Sequence, residues 1–181
     1  MTEFTNDNAA RSKIKAIPTE YKGYKFRSRL EARWAVFFDS IGIEWDYEIE
    51  GFNVQGFGWY LPDFYLPHVK QFCEVKPEYI DRDNELDDKL RAFVKTTGSE
   101  IVLLKGSPDY VFYKYFWVGH NGEIKEDSEF ISDHHQYYTK ERRFYSSPGT
   151  QTPFTEGIVG PEYGRAVDAA RSARFEHGES P

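Results

Sequence analysis

The chain has a single cysteine, Cys73, among 181 residues. No intramolecular disulfide can form, and a zinc site built on cysteine thiolates is excluded. Long apolar runs are also absent. Stretches such as 35–38 and 111–118, the latter interrupted by Lys114, fall far short of the ~20 residues that a membrane-spanning helix needs. No apolar segment follows a basic N-terminal region in the manner of a secretory signal, so the expectation is a cytoplasmic protein without a membrane partner. Positive charge is in deficit: 23 Lys and Arg against 30 Asp and Glu leave a net charge of −7. That is not the profile of a general nucleic-acid binder. The deficit is uneven, because up to Ile43 the chain carries eight basic residues against five acids.

What is present points to one α/β domain with tails. Residues 1–20 are polar, contain Pro18 and read as a flexible arm. Phe26, Leu30, Trp34, Phe37, Phe38 and Ile41 recur at helical spacing and Gly42 follows, which predicts a helix over 28–41. Strands are predicted over 45–50, 59–66 and 71–76, between Gly and Pro punctuation. A second helix, capped by Asp81 or Asp83, carries Leu86, Leu90, Phe93 and Val94 and ends at Gly98. Residues 101–105 and 110–118 read as further strands. Beyond residue 120 the pattern weakens into an aromatic and polar extension over 121–181, with a closing helix marked by Ala166, Ala169, Ala170 and Ala173. No internal repeat is found. The order helix, three strands, helix, strand implies an α/β fold with a mixed central sheet flanked by helices.

The segment most informative about chemistry is Pro62-Asp63 followed by Glu74-Val75-Lys76. Strand side chains alternate, so Glu74 and Lys76 share one face while Cys73 and Val75 point into the core. A turn at 67–70 places Asp63 directly opposite Glu74. Two like charges facing each other are destabilising, and a divalent cation is one reason for a sheet to hold them together. Lys76 is then placed to orient a water or to stabilise developing charge. The bland alternative is a solvated acidic pair with Lys76 as the partner of Glu74. Glu31 also has two readings. Ser28-x-x-Glu31 fits a capping box at the start of the first helix, and the same carboxylate can point across the sheet toward a metal.

The run Phe26-Arg27-Ser28-Arg29-Leu30-Glu31-Ala32-Arg33-Trp34-Ala35, with Pro62-Asp63 and Glu74-Val75-Lys76, resembles the PD-(D/E)XK nuclease superfamily. The likeness is to small phage-encoded members and, more distantly, to phage junction-resolving endonucleases. It spans residues 21–105, and 21–120 is expected to form the nuclease core. It implies a restriction-endonuclease-like fold (α-β-β-β-α-β) and a DNA endonuclease of phage or prophage origin, working in the host cytoplasm. Asp63 and Glu74 would ligate Mg²⁺, with Mn²⁺ able to substitute, and Lys76 would assist the attacking water. The Val75 carbonyl would add a ligand, and Glu31 would complete the site. Fold alone does not assign the substrate, so RNA stays open beside DNA, as does a homodimer.

Weaker signals remain. Arg27, Arg29, Arg33, Lys140, Arg142 and Arg143 are candidate nucleic-acid contacts, the last three within an aromatic-basic strip, 137–145, suited to stacking bases and gripping phosphates. A surface loop explains that strip as well. Arg171 and Arg174 fit a solvated helix face, and His134-His135 stay unassigned. The rival to catalysis is a non-catalytic phage anti-defence or regulatory binding protein on the same fold.

Overall fold

A computed structural model describes residues 16–77, 84–131 and 161–175. These residues form a mixed α/β domain with three helices among them. The chain opens with a small hairpin, β1 (Thr19–Tyr21) against β2 (Tyr24–Phe26), and enters α1 (Arg29–Ser40). Thr19 and Glu20 therefore lie in a paired strand, and the arm expected over 1–20 is cut back accordingly; residues 1–15 lie outside the described residues. Strands β3 (Asp46–Tyr47), β4 (Phe52–Val54), β5 (Gly58–Tyr60), β6 (Phe64–Leu66) and β7 (Gln71–Lys76) follow. Then come α2 (Asn84–Thr97), β8 (Glu100–Ser107), β9 (Tyr110–Val118), β10 (Ile124–Ile131) and α3 (Pro161–Ser172). The capping candidates Asp81 and Asp83 lie outside the described residues.

The central sheet has six strands in the order β10-β9-β8-β7-β6-β3. Among the described residues only β7 and β8 pair in parallel. A parallel pair cannot be closed by a tight hairpin, and α2 is the crossover between them. The central strands are apolar on both faces, so helices cover both. Cys73, Val75, Val102, Leu104, Tyr115 and Trp117 meet α1 and α3. Phe72, Ile101, Leu103 and Phe116 meet α2 and the β4–β5 hairpin. Trp34, fully buried, ties α1 to the sheet by donating its indole N–H to the Gly106 carbonyl at 3.0 Å. Truncating such a side chain costs about 3–5 kcal/mol. Ala166, Val167 and Ala170 are buried positions of α3, with Ala173 buried just beyond its end, and the small side chains let that helix lie against α1. Gly42 and Gly98, at φ 70° each, terminate α1 and α2 in the left-handed conformation expected of C-terminal glycines.

Several predicted elements need correction. The strand expected over 45–50 shrinks to β3, because Glu48 turns to φ 49°. The strand expected over 59–66 is two strands in different sheets, since Pro62 interrupts it and β5 folds back on β4 instead. The extension beginning at 121 also contains a strand that its sequence did not announce, since β10 adds to the central sheet along β9. Its Lys125-Glu126-Asp127-Ser128 run is exposed throughout. An edge strand wet on both faces has no alternation to read. No helix among the described residues is long and apolar enough to cross a membrane.

Candidate active site

The turn at Pro67–Lys70 sets the site. The Val69 N–H donates to Leu66 and the Lys70 N–H to Pro67, with Lys70 at φ 55°. The hairpin this closes pairs Phe64 with Cys73, Tyr65 with Phe72 and Leu66 with Gln71, the register anticipated from the turn. Backbone pairing ends there, and the side chain of Asp63 takes its place: Oδ2 accepts the Val75 N–H at 2.7 Å. Asp63 and Glu74, 2% and 5% exposed, are thereby brought together at the end of β7.

Each carboxylate oxygen of this pair holds a donor. Asp63 Oδ1 accepts Arg27 Nη2 at 2.7 Å, across 36 residues of chain. Glu74 Oε2 accepts the phenol of Tyr60 at 2.9 Å, and Oε1 accepts the ammonium of Lys76. Lys76 Nζ also reaches the Val75 carbonyl at 3.2 Å. Burial, and next the charge of Glu74, push the Asp63 carboxyl up to about 8, against the pull of Lys76 and the Val75 N–H. Burial works against the Lys76 ammonium, yet Glu74 and Asp63 together hold its pKa above the ordinary lysine value. Burial and the neighbouring Glu74 raise the Tyr60 phenol well above its usual range, so it stays a donor.

Glu31 is buried at the start of α1. Ser28, the N-cap, accepts the Glu31 N–H at 3.2 Å and donates its hydroxyl to Oε1 at 2.6 Å. Oε2 accepts the Arg27 N–H at 3.1 Å and the Tyr47 hydroxyl at 2.6 Å. Of the two roles open to Glu31, the structure displays the cap, with the carboxylate reaching the residue before the N-cap. Its charge still bears on Asp63, as a lesser contribution to the raised pKa.

Arg27 was expected as a nucleic-acid contact, and its place on Asp63 was not anticipated. Its Nε also sits 2.6 Å from Glu48 Oε1. Arg29 and Arg33 are half-buried on α1. Lys140, Arg142, Arg143, the aromatic-basic strip and His134-His135 lie outside the described residues. Cys73 is fully buried, as its flanks implied. Arg171 lies 3.5 Å from Asp109 and so has a protein partner. Sequence reasoning missed Tyr60, Tyr47 and Glu48. Tyr60 belongs to a different sheet from Glu74, so no spacing rule links them.

Among the described residues no group of three or more His, Cys, Asp or Glu side chains is placed to share a metal ion. The two carboxylates with the Val75 carbonyl do form a hard-oxygen set of the kind Mg²⁺ takes together with water. Two like charges are buried here side by side, and the cations on them, Arg27 and Lys76, sit on long side chains that a divalent ion could displace. On that ground these residues fit a divalent cation. Surface clefts among the described residues lie elsewhere, one along Asp39 and Gly42–Trp45 and one between Gly42–Glu44 and Leu66, His68 and Val69. Neither a protein-family model nor a curated protein matches the chain.

Proposed function

We propose that this chain is a Mg²⁺-dependent nuclease that hydrolyses phosphodiester bonds of DNA, an endonuclease of phage or prophage origin on a restriction-endonuclease-like core. The observation that carries the reading is the buried pair of Asp63 and Glu74, held side by side with Lys76 at the end of a central strand. The likeness of the α1, Pro-Asp and Glu-x-Lys segments to the PD-(D/E)XK superfamily supports it. Asp63, Glu74 and the Val75 carbonyl would hold Mg²⁺, for which Mn²⁺ can substitute, and Glu31 would contribute its charge from behind. When bound, such an ion lowers the pKa of a water and neutralises charge on the phosphate.

The chain's own residues have separable tasks. The Val75 N–H fixes the carboxylate plane of Asp63, and the Tyr60 hydroxyl fixes that of Glu74. Lys76 keeps its proton, and its Nζ is the donor that positions the attacking water or meets the charge forming on the phosphate oxygens. Incubation with linear, supercoiled, single-stranded and branched DNA, and with RNA, in Mg²⁺, Mn²⁺ or EDTA tests the reading. Cleavage that requires the metal is expected on at least one DNA. One observation favours a second reading, a non-catalytic phage anti-defence or regulatory binding protein: all four carboxylate oxygens already have protein donors. Intact substrates in every arm would establish that reading instead.

A further inference from the structure

We infer that Arg27 is an exchangeable counter-ion, which occupies Asp63 in the metal-free protein and transfers to a phosphodiester when a divalent cation is held. Cation and phosphodiester binding are then cooperative. The inference rests on the nuclease reading above and adds to it how substrate and metal are coupled.

Four donors hold the Asp63–Glu74 pair, and they are of two kinds. Two are immobile: the Val75 N–H belongs to the backbone of β7, and Tyr60 is only 3% exposed. The other two are ends of long side chains, with Arg27 56% and Lys76 28% exposed. Each of these brings one positive charge to one carboxylate. Together they carry the charge of a single divalent ion, at the two oxygens that the immobile donors leave over.

Arg27 is built to release one bond without losing its place. Its backbone N–H is held by Glu31 and by the Tyr47 hydroxyl, so only the side chain need move. Its Nε pairs with Glu48 at 2.6 Å, independently of the Nη2 contact with Asp63. Glu48 is itself fixed, because its N–H donates to the Asp63 carbonyl at 3.0 Å. A guanidinium tethered at Nε and freed at Nη2 presents its planar fork to solvent, and that fork matches two phosphate oxygens as an ammonium does not. Once a cation takes its place on Asp63, the Arg27 Nη2 has lost its acceptor, and a phosphodiester oxygen supplies another. Both bindings therefore favour the same displaced position of Arg27, which is the condition for coupling between sites.

Calorimetric titration with Mn²⁺, with and without saturating dimethyl phosphate as an uncleavable phosphodiester, tests this without turnover. Arg27→Gln is expected to bind Mn²⁺ about tenfold tighter than wild type in the absence of phosphodiester, within the usual range for coupled sites. Dimethyl phosphate should tighten Mn²⁺ binding more in wild type than in Arg27→Gln. Arg27→Lys keeps the charge but cannot hold Glu48 and Asp63 together, and should fall between the two; it decides the matter if Arg27→Gln does not fold. Mn²⁺ binding by wild type as tight as, or tighter than, that of both variants in the absence of phosphodiester would overturn the counter-ion role and leave the nuclease reading standing. No Mn²⁺ binding by any of the three proteins would overturn both.

Discussion

Two clusters of acidic side chains on this domain have opposite characters. On the α2 side, Asp87, Asp88 and Glu126 are interleaved with two cations: Lys114 lies 2.7 Å from Asp87 and 3.3 Å from Glu126, and Arg91 lies 2.6 Å from both Asp88 and Glu126. A cation separates each acid from the next, the cluster is reached by solvent, and it ties α2 to β9 and β10. Ion pairs of that kind hold elements together. At the end of β7, by contrast, Asp63 and Glu74 face one another across a hairpin, almost without exposure, and their cations approach from outside. There the desolvation of like charges lifts the Asp63 carboxyl to about 8. Acidity alone does not separate a candidate site from a structural network; burial of like charges does.

The sharpest test of that contrast is catalytic. Lys76→Ala should lower metal-dependent cleavage by about 10²–10⁴-fold. Asp63→Ala and Glu74→Ala should each abolish it nearly as fully, and combining the three should add little, because they act as one unit. Rates on whichever DNA proves cleavable measure this, and full activity in Glu74→Ala would exclude the site. A smaller effect is expected in the pH dependence of stability. The folded Asp63 carboxyl holds its proton to about 8, whereas the unfolded one releases it near 3.8. Between these values the folded state binds more protons, so this group's contribution to stability is complete at acid pH and is lost as pH rises toward 8. Chemical denaturation in EDTA across that window should show the decline, on the order of a few kcal/mol at most. Glu74→Gln removes the second-largest cause of the shift and should flatten the profile, as should Mg²⁺. A flat wild-type profile in EDTA would show that the pair is not strained.

The smallest effects belong to the other cluster and to the cap. Lys114→Ala leaves Asp87 without its closest cation and should cost about 1–3 kcal/mol in denaturant melts, with cleavage unchanged. Ser28→Ala removes the cap hydroxyl and should cost ~1 kcal/mol. A loss of turnover in Ser28→Ala beyond that explained by unfolding would show that Glu31 acts on the chemistry as well as on the helix. Equal loss of cleavage in Lys114→Ala and Lys76→Ala would erase the distinction between the two clusters.

Much of this was legible from local pattern. The first helix, its Ser28 cap and its glycine stop follow from 3.6-residue spacing and end chemistry, because those signals lie within a few residues of one another. The facing of Asp63 and Glu74 follows from one turn, since a period of two carries the register outward from Pro67–Lys70. The strands over 45–50 and 59–66 were drawn too long because aromatic content marks strand preference but not where pairing ends. That limit was set by the left-handed Glu48 and by Pro62, which lacks an N–H. Strand β10 was missed because a strand exposed on both faces has no hydrophobic period.

The sequence by itself determined the mixed α/β class, the apolar stripes of α1 and α2, and the side-by-side placement of two carboxylates and a lysine. Only the tertiary structure decided what else holds them. Arg27 reaches Asp63 from before α1, and Tyr60 reaches Glu74 from a hairpin in another sheet. Neither pairing leaves a trace in spacing, because such contacts are fixed by how layers stack and not by the period of any one element. Burial decided the rest: in solvent the same carboxylates and their cations would be ordinary ion pairs, and the layers closed over both faces of β7 make them a candidate site.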